Sequence, residues 1–157
     1  MKRNNIYALI VLVIIVASLV GVYMYYKNYG EDFGKSKVVL PHNFKVKDVN
    51  KNKTELVITD GKHNIALDTF ERQNVRNLVD KYNQQNNNTA EISTLNLNGT
   101  VVLRTRTKLN DSANNTMVSY WFAKDGHQYR YYGIGYPGIE DTLQQLIHKT
   151  EHNLLKF

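Results

Sequence analysis

A chain of 157 residues, 42% hydrophobic and 22% charged, has room for one domain of ordinary size once a targeting segment is set aside, which excludes a multidomain enzyme. The formal charge of +6 overstates the basic character of that domain: Lys2, Arg3 and Lys27 flank an apolar run with no acid among residues 1–27, and without them 17 cations face 14 anions, a net +3. So mild an excess argues against a nucleic-acid partner, which draws basic charge to one face or tail, and the absence of cysteine excludes a disulfide framework, a thiolate zinc site and acylation of a lipoprotein cysteine.

Residues 6–26 carry no charge, although mean hydropathy over the whole chain is only −0.46, so the remainder is distinctly hydrophilic. Twenty-one residues at about 1.5 Å each span roughly 30 Å, the hydrocarbon core of a bilayer. A cleaved secretory peptide has an apolar stretch of about 7–15 residues that ends on small residues three and one before the cut. Here Ala17-Ser18 runs into Leu19-Val20, and Tyr23, Tyr25 and Tyr26 with Lys27 form an interfacial belt. Segment 1–27 therefore reads as an uncleaved signal-anchor transmembrane helix, in contact with membrane lipid through residues 6–26. Residues 28–36, with two glycines and mixed charge, read as a short flexible stalk, and 37–157 as the folded domain.

Within that domain, 44–49 predicts a first strand, and 55–59 and 64–67 a hairpin across Asp60-Gly61-Lys62. Asp68 with Glu71 has capping-box spacing ahead of Val75, Leu78, Val79 and Tyr82, which predicts an amphipathic helix opening at Asp68. The polar tract 84–88 is a loop. Strands 91–97 and 100–107 follow, joined across Asn98-Gly99, the strongest short hairpin signal. After the loop 110–115, strands 117–123 and 128–134 are joined through 124–127. Pro137-Gly138, with Glu140 and Asp141 in a first turn, announces a closing helix whose apolar stripe holds Ile139, Leu143, Leu146, Ile147, Thr150 and Leu154. Strands, a helix, four strands and a helix predict an α+β domain: a mainly antiparallel sheet covered by two helices, in two or three layers.

Four features taken together are the anchor at 6–26, the opening Leu40-Pro41-His42-Asn43-Phe44-Lys45-Val46, the strand Leu56-Val57-Ile58-Thr59-Asp60-Gly61, and the Leu-x-x-Leu-Ile pattern of Leu143 to Ile147. In layout they resemble small membrane-anchored proteins of methanogenic archaea with a PsbP-like or Mog1-like α/β sandwich. The resemblance covers most of the chain and implies an extracytoplasmic, non-catalytic module without naming a ligand.

Orientation is not settled by basic flanks, since Lys2 and Arg3 stand against Lys27, Lys35, Lys37 and Lys45. Asn-x-Ser/Thr triplets begin at Asn52, Asn87, Asn98, Asn110 and Asn114; composition alone gives roughly two, so glycosylation acceptors and Asn-rich turns both remain readings. With the short N-terminal tail, the excess favours a single-pass protein of the cell membrane, its C-terminal domain outside the cytoplasm.

The chemistry is sparse. His148-Lys149-Thr150-Glu151-His152 fits the H-x-x-E-H pattern, but a catalytic zinc needs a third protein ligand and only residues 153–157 follow. No serine sits in a G-x-S-x-G elbow, and Gly133-Ile134-Gly135-Tyr136-Pro137-Gly138, which joins a strand to a helix, puts a proline where a phosphate loop needs a backbone N–H and reads as a structural turn. No catalytic residue, metal ligand or cofactor is assigned. Two surfaces remain as binding candidates. Alternation along 100–108 sets Arg104, Arg106 and Lys108 opposite Val101, Leu103 and Thr105, a basic row or a solvated sheet face. The last hairpin concentrates Tyr120, Trp121, Phe122, Tyr129, Tyr131, Tyr132 and Tyr136, as a platform or as core. The expected site comprises Trp121, Tyr129, Tyr131, Arg104 and Arg106, and the expected partner is a protein or glycan of the cell envelope. A structural spacer and a small metal-dependent hydrolase are the alternatives.

Overall fold

A computed structural model describes residues 2–109 and 115–156. The chain divides between Glu31 and Asp32 into two units. The first is α1 (Arg3–Asn28), a helix with no buried residue whose most apolar 18-residue stretch has a mean hydropathy of 2.8, long and apolar enough to cross a membrane. The Ser18 hydroxyl in mid-helix is satisfied within the helix: its Oγ donates to the Ile14 carbonyl at 2.8 Å, as lipid would require.

After α1 the chain runs β1 (Glu31–Phe33), which begins at the boundary, then β2 (Ser36–Val38), β3 (Lys45–Val49), β4 (Glu55–Thr59), β5 (Asn64–Phe70), α2 (Val75–Gln85), β6 (Glu91–Leu97), β7 (Thr100–Lys108), β8 (Thr116–Lys124), β9 (His127–Ile134), α3 (Ile139–His148) and β10 (Thr150–His152). Seven strands form one antiparallel sheet in the order β3-β4-β5-β9-β8-β7-β6. It consists of two meanders, β3 to β5 and β6 to β9, joined where β5 pairs with β9. A three-stranded sheet, β1-β2-β10, forms separately.

Register sorts the side chains. Val49, Leu56, Leu67, Tyr131, Tyr120, Arg104 and Ser93 are successive partners across all seven strands and share one face. That face holds the main core, where Ile139, Leu143, Leu146 and Ile147 of α3 cover Leu67, Phe122, Tyr129 and Tyr131 together with Phe33 and Val38 of the small sheet. Phe122 stacks on Tyr129 at 4.8 Å and meets the edge of Tyr131 at 5.0 Å. The opposite face carries α2, which buries Val79 and lays Tyr82 against Trp121 at 5.3 Å. The sheet, with helices on both sides, is thus the expected antiparallel α+β architecture.

Three local expectations are corrected. Asp68 does not cap a helix; it lies within β5, and the cap is Asn74, whose Oδ1 accepts from the Asn77 N–H at 3.2 Å. Extending β5 to Phe70 pairs it with β9 as far as Gln128, a ladder that outweighs one local cap. The closing helix stops at His148 rather than running through Leu154, because Thr150 leaves to pair with Val38 and is held between the Tyr131 hydroxyl and the Leu146 carbonyl, each at 2.7 Å. Finally, 28–36 is not a stalk throughout. Phe33 and Ser36 are buried, the Ser36 hydroxyl is bonded to that of Tyr129, and Lys37 is paired with Asp32 at 3.1 Å.

Candidate functional site

The aromatic residues expected to form a platform lie inside the protein. Trp121, Tyr129 and Tyr131 are 3%, 1% and 0% exposed. Both faces of the last hairpin are aromatic because both are covered, Tyr129 and Tyr131 beneath α3 and Trp121 beneath α2. The Trp121 indole N–H donates to Thr105 Oγ1 at 3.0 Å, so its polar edge is satisfied internally. Burial pushes the Tyr129 hydroxyl up to about 12, and the Tyr131 hydroxyl well above its ordinary range.

Arg104 and Arg106 are not a free basic row either. Arg104 Nη1 donates to Glu140 Oε1 at 2.8 Å and Arg106 Nη2 to Glu140 Oε2 at 2.6 Å, while the Tyr120 hydroxyl donates to Oε1 at 2.7 Å. Burial alone would raise the Glu140 carboxyl, but Tyr120, Arg104 and Arg106 hold it below its usual range. Glu140, read from sequence as a dipole-complementing residue, thereby ties the first turn of α3 to β7 and β8. Arg104 and Arg106 stand opposite Val101, Leu103 and Thr105, as alternation sorts them, but both faces of β7 are partly covered: Val102 is buried on the arginine side and Thr105 on the other, where Val101 is 57% exposed.

A further, half-buried arginine lay outside the sequence reading. The Arg130 guanidinium carbon lies 3.8 Å from the ring centroid of Tyr132, 4.6 Å from Tyr82 and 4.7 Å from Trp121, and its Nε and Nη2 donate to Ser119 Oγ. The aromatic cage is therefore filled from within the protein. Beside it on the same face stands Asp68, raised to about 6 by burial and then by the Glu55 carboxylate, against the opposing pull of Arg130 and a hydrogen bond with Tyr132. An arginine in mid-strand among tyrosines was the available signal, but only register brings Trp121 opposite it.

The histidines separate as well. His148 ends α3 and His152 lies in β10, so no helix face unites them; His152 Nδ1 instead meets His127 Nε2 at 3.0 Å. His63 stacks on Tyr136 at 3.8 Å and pairs with Asp60 at 3.2 Å. Among the described residues no three His, Asp or Glu side chains converge on a metal position.

The concave surface lies elsewhere, at the end of the sheet that carries the β6–β7 and β8–β9 turns. On the α3 face a groove of about 600 Å³ is lined by Asn96, Leu97, Asn98, Thr100, Lys124, Gln144, Gln145, Ile147 and His148. On the α2 face a groove of about 860 Å³ runs from Gln73, Asn74, Val75 and Arg76 to Thr94, Val101, Leu103, Ala123, Asp125 and Gln128. Thr100 and Lys124 line both. The Lys124 ammonium is anchored on the last carbonyls of α3, Ile147 at 3.0 Å and His148 at 3.4 Å, where the helix dipole favours a cation. Side-chain amides outnumber charged groups in this lining, and apolar Leu97, Val101 and Leu103 interrupt them.

Of the sequon asparagines, Asn52, Asn87 and Asn98 are exposed, and Asn110 and Asn114 lie outside the described residues. Asn87 and Asn98 have φ of 56° and 51°, the left-handed region that asparagine tolerates, so turn chemistry by itself accounts for asparagine at these two positions.

No family model matches the chain, and no curated protein matches it in sequence. Solved structures do share its fold. The solution structure of cyanobacterial PsbP from Synechocystis is similar with a TM-score of 0.53 at 10% identity, covering 79% of this chain and 90% of that one. A crystal structure from Bacteroides thetaiotaomicron is similar with a TM-score of 0.54 at 10% identity over 77% of this chain, which spans 46% of that protein's length. The domain is thus PsbP-like in fold.

Proposed function

We propose that this protein is a non-catalytic binding module, held at the cell membrane by α1 with the PsbP-like domain outside the cytoplasm, and that it binds an uncharged polar polymer of the envelope, a glycan, at the hairpin end of the sheet. The observation that supports this reading is the pair of amide-lined grooves sharing Thr100 and Lys124. Amides offer donors and acceptors together, as hydroxyl-rich ligands require, whereas Arg104 and Arg106 are already bound to Glu140 and Arg76 of the α2-face groove is paired with Asp80. The position moves from Trp121, Tyr129 and Tyr131 to the turns, because a ring inside the core cannot stack on a sugar.

A ligand that binds only the folded state raises its melting temperature. Neutral envelope polysaccharides are expected to raise that of the full-length protein in detergent. The rise should shrink in Asn96→Ala/Gln144→Ala and persist in added salt, since no ion pair carries it. No rise with any neutral glycan, or a rise that salt removes, overturns the reading.

A further inference from the structure

The seven-stranded sheet ends on two strands that meet solvent differently. β3 has five residues, a bulge between Val46 and Asp48, and Lys45 and Lys47, devices that blunt an edge against pairing. β6 has none of them. Its seven residues keep an unbroken register with β7, contain no proline and include Glu91 as their one charge. Asn98 and Gly99, with φ of 51° and 91°, make a two-residue turn, so Leu97 and Thr100 are a hydrogen-bonded pair. It follows by alternation that Glu91, Ser93, Leu95 and Leu97 direct their N–H and C=O groups at β7, while Ile92, Thr94 and Asn96 direct theirs outward. Among the described residues no turn, loop or cap backbone bond uses those three, and Thr94 and Asn96 are exposed.

We propose that β6 is a self-pairing edge, through which two copies of the chain join their sheets antiparallel about a two-fold axis at Thr94. In that register Thr94 faces Thr94 of the second copy, Ile92 faces Asn96, Ser93 faces Leu95 and Glu91 faces Leu97. Every outward N–H then meets an outward C=O, about six hydrogen bonds in all, and each side chain keeps its own face of the sheet. The only charge, Glu91, falls opposite a leucine, so no like charges meet. A charged partner strand would find nothing on this edge to recognise. One strand pair buries well under the roughly 1,200–2,000 Å² of a stable interface, so pairing is weak in dilute solution and is populated where two copies share a membrane. That last step rests on the tether proposed above; the pairing itself does not.

The chain has no cysteine, so introduced ones report without background. Hydrogen-bonded antiparallel partners have Cα atoms about 5.5 Å apart, within the roughly 4.4–6.8 Å that a disulfide spans. Purified full-length Thr94→Cys is therefore expected to form a disulfide dimer under mild oxidation, both in phosphatidylcholine vesicles and in concentrated detergent solution. The rate should exceed that of Asn96→Cys by about ten-fold or more, because the two copies of position 96 stand roughly 14 Å apart. An equimolar mixture of Ile92→Cys and Asn96→Cys should give the heterodimer. Adding Thr94→Pro to both should abolish it with little change in melting temperature, since the Thr94 N–H points away from β7 and proline there removes no ladder bond. If Thr94→Pro unfolds the chain, Thr94→Lys, which opposes two ammonium groups at the axis, should give the same loss. Equal rates for Thr94→Cys and Asn96→Cys, or a heterodimer that survives these substitutions in folded protein, overturn the proposal. Dimerisation in detergent but not in vesicles would instead count against the tether.

Discussion

Trp121 lies between Tyr82 and Arg130 with its N–H on Thr105, so truncating it removes a ring, a cation–π partner and a hydrogen bond together. Trp121→Ala is expected to lower stability by about 3–5 kcal/mol, read as a fall in urea midpoint; a midpoint near that of the parent protein would return the indole to the surface. Asp68 makes a prediction of opposite sign. Its folded value of about 6 lies above the ordinary 3.8, so its contribution to stability is complete below about pH 3.8 and is lost as pH rises through about 6. Asp68→Asn should therefore be more stable than the parent at pH 7.5, by about 1–2 kcal/mol after allowance for solvent screening, and should match it near pH 4. Urea unfolding at both pH values checks this. An equal effect at both would place the carboxylate in ordinary solvent. Glu140 runs the other way, because Tyr120, Arg104 and Arg106 hold it low: the stability it contributes is present above the ordinary carboxylate range and is lost as pH falls through its depressed value.

Among the elements, those legible in the sequence were the ones specified by neighbours a few residues away. Asn98-Gly99 and Asp125-Gly126 make their hairpins where turn chemistry puts them, and Ile139, Leu143, Leu146 and Ile147 form the buried stripe of α3. The small sheet was not legible, since β1, β2 and β10 have three residues each and pair the start of the domain with its end, a contact no local window contains. This carries a test. A fragment beginning at Lys37, the boundary read from sequence, lacks Phe33 and the Ser36 hydroxyl that meets Tyr129, whereas a fragment beginning at Asn28 keeps both. The shorter fragment should lose about 3 kcal/mol or more and bind hydrophobic dye, while the longer one melts cooperatively. Equal melting temperatures would return residues 28–36 to the role of a linker.

At the scale of the whole molecule, a helix apolar on every face and a folded domain follow one another in a single chain. If the proposed orientation is right, protease added to intact cells should digest the domain; protection until lysis would place it in the cytoplasm. Sequence alone determined the apolar span, the antiparallel α+β class and the absence of cysteine chemistry, because each depends on composition or on a period of two or 3.6 residues along the chain. It also supplied the residue types of the expected site: Trp121, Tyr129, Tyr131, Arg104 and Arg106 are all there. Tertiary structure alone decided that they are core and clamp rather than surface. Alternation says which side chains share a face of one strand, but which face is covered, and what stands opposite, follows from register across β5, β9, β8 and β7 and from where α2 and α3 land. The energy that sets those pairings comes from long-range burial, so Glu140 reaching Arg104 and Arg106, Arg130 filling its own cage, and β6 left as an open edge exist only once the sheet has closed on its helices.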